Sequence, residues 1–153
     1  MALKNRLKAK EGWSAIPYLD SEGFWTIGWG HKIADAVLLY LIQNHGAKNL
    51  SITSAQGEAL LDADIKVARG DLKAIFFGKF FDPVREGALT EMLFNLGRAH
   101  FLDFTKMRRA IFLEDWNTAA AEALDSHWSK VNHAKSTRDE EIAEMLRTGK
   151  EPA

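Results

Sequence analysis

Apolar positions along the chain change their period several times, and each change predicts an element. Leu3 and Leu7 lie at helical spacing and Gly12 follows as a stop, which predicts a helix over 2–11. Two aromatic and β-branched runs, Ile16 to Asp20 and Phe24 to Gly28, flank Ser21-Glu22-Gly23 and read as a β-hairpin. Gly28-Trp29-Gly30 bends the chain on leaving it. A short helix is expected over 34–44, ending near Gly46.

Thr53 and Gln56 form a capping-box pattern. They open a periodic stretch through Ala59, Leu60, Ala63, Val67 and Leu72 that predicts a long helix over 54–75. Pro83 punctuates the chain, and further helices are expected over 84–96, 105–113, 115–128 and 136–148. Leu89, Met92, Leu93 and Leu96 form the first of their apolar stripes; Trp116, Ala120, Ala123 and Leu124, then Ile142, Met145 and Leu146 form two others. The fold class expected is therefore α+β and mostly helical. Its small β-hairpin lobe covers about 12–53, and the connecting helix covers about 54–75. A helical lobe takes about 76–148 together with the N-terminal helix 2–11, with a cleft between the lobes.

Composition narrows what such a chain does. The 153 residues are 46% hydrophobic and 27% charged, enough to bury a core. A net charge of −1 gives no overall field for gripping nucleic acid, so no nucleic-acid partner is expected. The absence of cysteine excludes disulfide scaffolds and thiolate chemistry. The first ten residues are basic without an apolar run, so no secretory signal is read there, and no stable membrane insertion is expected. Phosphate-loop, nucleophile-elbow and zinc-helix motifs do not occur, and no two of the five histidines stand four apart. Neither a metal nor another cofactor is expected.

Chemistry then falls to carboxylates. Glu11 ends the first helix and Asp20 ends the first strand, with Thr26 across the hairpin. Glycoside hydrolysis uses such a pair, one acid to protonate the leaving oxygen and one carboxylate on the opposite face of the sugar. The negative end of the helix dipole suits Glu11 to the protonated role. Asp20, beside an exposed turn, suits the ionised one, and Thr26 is placed to hold an attacking water. From spacing alone, two solvated surface acids remain the alternative.

The ordered string Glu11-Gly12, Tyr18-x-Asp20, Gly23-x-x-Thr26-Ile27-Gly28-x-Gly30-His31 resembles the phage-type lysozyme (endolysin, muramidase) family. Phe94-Asn95-Leu96-Gly97, Phe104-Thr105, Trp116-x-x-Ala119-Ala120, Ser126-x-Trp128, Arg138 and Arg147-Thr148-Gly149 continue it in order. The resemblance implies a two-lobed lysozyme-like fold and hydrolysis of the β-1,4 bond between N-acetylmuramic acid and N-acetylglucosamine in peptidoglycan, by inversion and without a cofactor. It implies Glu11, Asp20 and Thr26 as catalytic residues and Gly30, Phe94 and Asn95 as substrate contacts. It also implies His31 paired with Asp64, and Arg138 reaching Glu11, as supporting residues. Lys10 and Lys32 depart from the pattern, standing where relatives carry an acid and an apolar residue. A monomeric endolysin is expected, made in the cytoplasm of an infected host and released to the wall through a separate membrane pore. A wall-binding module without activity, and a protein disrupting the wall envelope through a basic amphipathic segment, are the other classes considered.

Overall fold

The computed structural model describes residues 2–133 and 136–153. Its contacts divide the chain into two compact units, Ala2–Lys66 and Val67–Ala153.

The first unit opens with α1 (Leu3–Glu11), which stops at Gly12 at a φ of 70°. Strands β1 (Ser14–Leu19), β2 (Trp25–Gly28) and β3 (His31–Lys32) follow as an antiparallel sheet in the order β1-β2-β3. The hairpin was legible; β3 was not, because two residues give no alternation to read. Tyr18 pairs with Thr26, and Thr26 with Lys32, so these three side chains form one row on one face. The β1–β2 ladder is irregular between Ser14 and Tyr18, where Pro17 has no N–H to give. α2 (Ala36–His45) begins where Asp35 Oδ1 accepts from the Val37 and Leu38 N–H groups. A 3₁₀ turn over Ala47–Asn49 completes this stretch.

The 22-residue α3 (Ser54–Ile75) carries the unit boundary within it. Its capping box is formed in both directions: Gln56 N–H donates to Thr53 Oγ1 at 3.1 Å, and Thr53 N–H to Gln56 Oε1 at 2.8 Å. Its buried stripe is Leu61, Ile65, Ala68 and Leu72, and Phe76, just past the helix end, is buried as well. Val67, expected within that stripe, is 65% exposed, since it lies only two residues from Ile65 and so faces away.

The second unit contains α4 (Pro83–Leu96), α5 (Arg98–Leu102), α6 (Thr105–Phe112), α7 (Trp116–Leu124), α8 (His127–His133) and α9 (Arg138–Thr148). Leu89, Met92, Phe101, Ile111, Ile142 and Leu146 lie at the centre of its core, and Phe104, Trp116 and Phe94 pack against it. α5 escaped prediction because five residues cannot display a period. The helix expected over 115–128 is two helices. Asp125 closes α7, and Ser126 Oγ accepts from Ser129 N–H at 3.0 Å to start α8. Among the described residues, no helix is long and apolar enough to cross a membrane.

Candidate active site

Glu11 reaches its position because α1 ends there. The helix stops at Gly12, leaving the last side chain directed past the final turn. It lies against Gly30, whose φ of 73° is in the left-handed region that favours glycine. A Cβ at that position would come within 2.7 Å of Glu11 Oε2. Gly30 therefore shapes the seat of the carboxyl group, and any larger residue would displace it.

Asp20 sits one residue beyond β1 and organises the hairpin turn. Its Oδ1 accepts from Glu22 N–H at 2.9 Å and Phe24 N–H at 2.8 Å, which fixes its orientation. Thr26 is buried in β2 and its hydroxyl donates to the Phe24 carbonyl at 3.0 Å. Tyr18, two residues before Asp20 and paired with Thr26, ties these groups together. Burial is the largest cause raising its phenol above the ordinary value of 10.0, followed by the charges of Glu11 and then Asp20. Both carboxylates thus act on one phenol. The sequence alone gives Tyr18 no role, because its pairing with Thr26 depends on the β1–β2 register.

His31 and Asp64 come together: His31 Nδ1 lies 2.8 Å from Asp64 Oδ2, both partly exposed. This joins β3 to α3 within the first unit. Trp29 is a packing residue. Its ring centroid lies 4.4 Å from that of Trp13, and Lys8 Nζ lies 4.4 Å above it. Trp13 in turn closes over Gly57, where a Cβ would meet its ring at 2.3 Å. Lys8 and Lys4 both pair with Glu58, and Lys4 also reaches Asp62 at 2.7 Å, which fastens α1 to α3. Lys32 lies 4.5 Å from the Phe24 ring centroid and 3.7 Å from Glu22.

The remaining residues singled out from the sequence lie in the second unit. Phe94 is partly buried against the helical core. Asn95 Oδ1 accepts from Trp128 Nε1 at 2.8 Å, so Asn95 anchors a buried tryptophan. Arg138 is buried, and its Nε donates to Glu91 Oε1 at 3.1 Å. Glu91 was not singled out, although an acid between Leu89 and Met92 in an apolar stripe is a recognisable oddity. Beside this pair, Ser129 Oγ donates to Asp139 Oδ2 at 2.7 Å.

No group of three or more metal-ligating side chains occurs among the described residues. The mostly helical α+β fold with its small antiparallel sheet is of the lysozyme type, and the class is that of an enzyme hydrolysing peptidoglycan. Within that class the sequence profile of phage lysozyme matches residues 8–140, and the chain belongs to the phage lysozyme family. It is 30% identical to probable T4-type lysozyme 1 of Dictyostelium discoideum, over 97% of this chain and 95% of that protein. Similarity extends to the SAR-endolysin of Enterobacteria phage P21, at 30% identity over 65% of this chain and 53% of the relative. It is also 26% identical to the pre-baseplate central spike protein Gp5 of Enterobacteria phage T4, over 90% of this chain but 27% of Gp5.

Proposed function

We propose that this lysozyme cleaves the β-1,4 bond between N-acetylmuramic acid and N-acetylglucosamine with inversion, Glu11 serving as general acid and Asp20 as the second carboxylate. Glu11 gives its proton to the departing glycosidic oxygen as the bond to the anomeric carbon breaks. A water held by Thr26 attacks that carbon from the opposite face and passes a proton toward Asp20. The inverting route calls for carboxyl groups about 6.5–9.5 Å apart, with space for that water. The observation that carries this reading is geometric: Asp20, its orientation fixed by the Glu22 and Phe24 N–H groups, shares one hairpin with Thr26, which pairs with Tyr18. The close seat of Glu11 on Gly30 supports it.

In the same reading Gly30, Phe94 and Asn95 contact the glycan, while His31, Asp64 and Arg138 support the framework. The chain works as a monomeric endolysin, made in the host cytoplasm and reaching the wall through a separate pore. Glu11→Gln is expected to lower the rate of peptidoglycan clearing by about 10²–10⁴-fold or more, with an unchanged circular-dichroism spectrum. New reducing ends, counted alongside turbidity, distinguish hydrolysis from transglycosylation. Clearing by Glu11→Gln at close to the unsubstituted rate overturns the assignment.

A further inference from the structure

The segment leaving α3 reads Phe76-Phe77-Gly78-Lys79-Phe80-Phe81. Phe76 is buried in the core and Phe81 packs against it, but Phe77 is 89% and Phe80 94% exposed. Gly78, at a φ of 82°, turns the chain between them. Lys79 folds back, its Nζ 5.2 Å from the Phe112 ring centroid and 3.9 Å from Glu114 Oε1. The two phenylalanines are therefore the projecting part of the turn. Phe112 and Leu113, 55% and 66% exposed, extend the apolar surface at the end of α6.

Cations border this tip. Ile75, Phe76, Thr105, Arg108, Arg109 and Phe112 line a shallow recess that holds two guanidinium groups and no carboxylate. α6 adds Lys106 and contains no acidic residue. The nearby Glu114 is taken up by Lys79, and Asp82 by Arg85 at 3.1 Å. Asp103 precedes α6 and Asp115 follows it, so the positive charge is confined to the Lys106–Arg109 stretch of α6, in a chain whose net charge is −1.

We propose that this tip docks on an anionic phospholipid bilayer, Phe77 and Phe80 entering the boundary of headgroups and acyl chains while the exposed Arg109 and Lys106 meet lipid phosphates. Arg108 is held inward, its Nη2 donating to the Leu102 carbonyl at 2.8 Å. Two aromatic rings on a convex turn suit a fluid surface that closes around them. A rigid protein partner would need roughly 800 Å² of matching face on this side, which a turn does not offer. Apolar side chains flanked by Lys and Arg form the pattern of interfacial membrane association. The contact is peripheral, and it would hold the enzyme at the membrane beside the wall.

Flotation of the full chain with vesicles tests this directly. Binding is expected to vesicles of phosphatidylglycerol and phosphatidylethanolamine, to be absent with phosphatidylcholine alone, and to weaken as salt rises. Phe77→Ser and Phe80→Ser are each expected to weaken it about tenfold or more. Arg109→Glu is expected to weaken binding to the anionic vesicles as well. Clearing of purified, lipid-free peptidoglycan should be unchanged in all three variants, which separates this surface from the hydrolytic site. Vesicle binding that is absent, or indifferent to these substitutions, overturns the proposal. So does a concentration-dependent dimer that Phe77→Ser and Phe80→Ser abolish, which would assign the tip to a second copy. Loss of peptidoglycan binding in the Phe variants would assign it to the glycan and overturn it equally.

Discussion

Gly30 and Tyr18 are the two residues at which the chemistry of the first unit is most exposed to measurement. Gly30→Ala meets two obstacles at once. Its left-handed backbone costs an L-residue about 1–2 kcal/mol, and its methyl group would press on Glu11 at 2.7 Å. Activity should therefore fall much further than stability, read as kcat for peptidoglycan clearing against the thermal unfolding midpoint. Tyr18 supplies a spectroscopic handle on the carboxylates. With Tyr40→Phe removing the only other tyrosine, its phenolate absorbance should rise at a pH above 10.0. Glu11→Gln should bring that midpoint down without restoring it fully, because burial is the larger cause. The sign for stability follows. A phenol raised in the folded state contributes fully below its unfolded value, and that contribution is lost as pH climbs through the folded one. A midpoint untouched by Glu11→Gln would show that the carboxylate does not act on this phenol.

Elements were legible in proportion to their length and to the clarity of their end signals. α3 matches its expected span because a capping box marks its start and a run of several turns displays its stripe. α4 begins at Pro83, with Asp82 accepting from Arg85 N–H at 3.0 Å, as a proline at the first turn permits. β3, α5 and the break between α7 and α8 were hidden, since each depends on pairing or capping rather than on period. At the candidate site, the ordered string of Glu11, Asp20 and Thr26 is visible in the sequence, whereas the pairing of Tyr18 with Thr26 needed the β1–β2 register. Caps also titrate. Asp115 starts α7 and is held below its ordinary value by hydrogen bonds from the Thr118 side chain and then from its backbone N–H. A lowered carboxyl contributes stability above its unfolded value, 3.8, and loses it as pH falls through the folded one. Asp115→Ala should therefore destabilise the protein at neutral pH and converge with the parent in strong acid, as followed by urea unfolding at a series of pH values. A constant difference at every pH would remove the charge from the explanation of the cap.

For the molecule as a whole, the largest stake in polar chemistry is the buried Arg138–Glu91 pair in the second unit, with side chains 5% and 0% exposed. Glu91→Ala removes a partner from a guanidinium that stays buried, and such changes cost about 3–5 kcal/mol. A double change, Glu91→Leu with Arg138→Met, should recover much of that loss, because apolar replacements avoid desolvating either charge. Denaturant unfolding of the single and double variants measures both. If Glu91→Ala costs under about 1 kcal/mol, the pair is not the buried contact described.

The boundary between Lys66 and Val67 has a consequence for anyone seeking to recombine this enzyme. Domains usually part at exposed linkers, but here the cut passes through an unbroken α3. Dividing the gene at that codon would leave each fragment with a helical stub near or below the ~12–15 residues at which an isolated helix is already marginal in water. Buried Ile65 would go to one fragment and buried Ala68 to the other, splitting a single apolar stripe. Chimaeras made by swapping halves should accordingly express poorly, whereas grafts that carry all of Ser54–Ile75 from one parent keep the helix and its stripe intact.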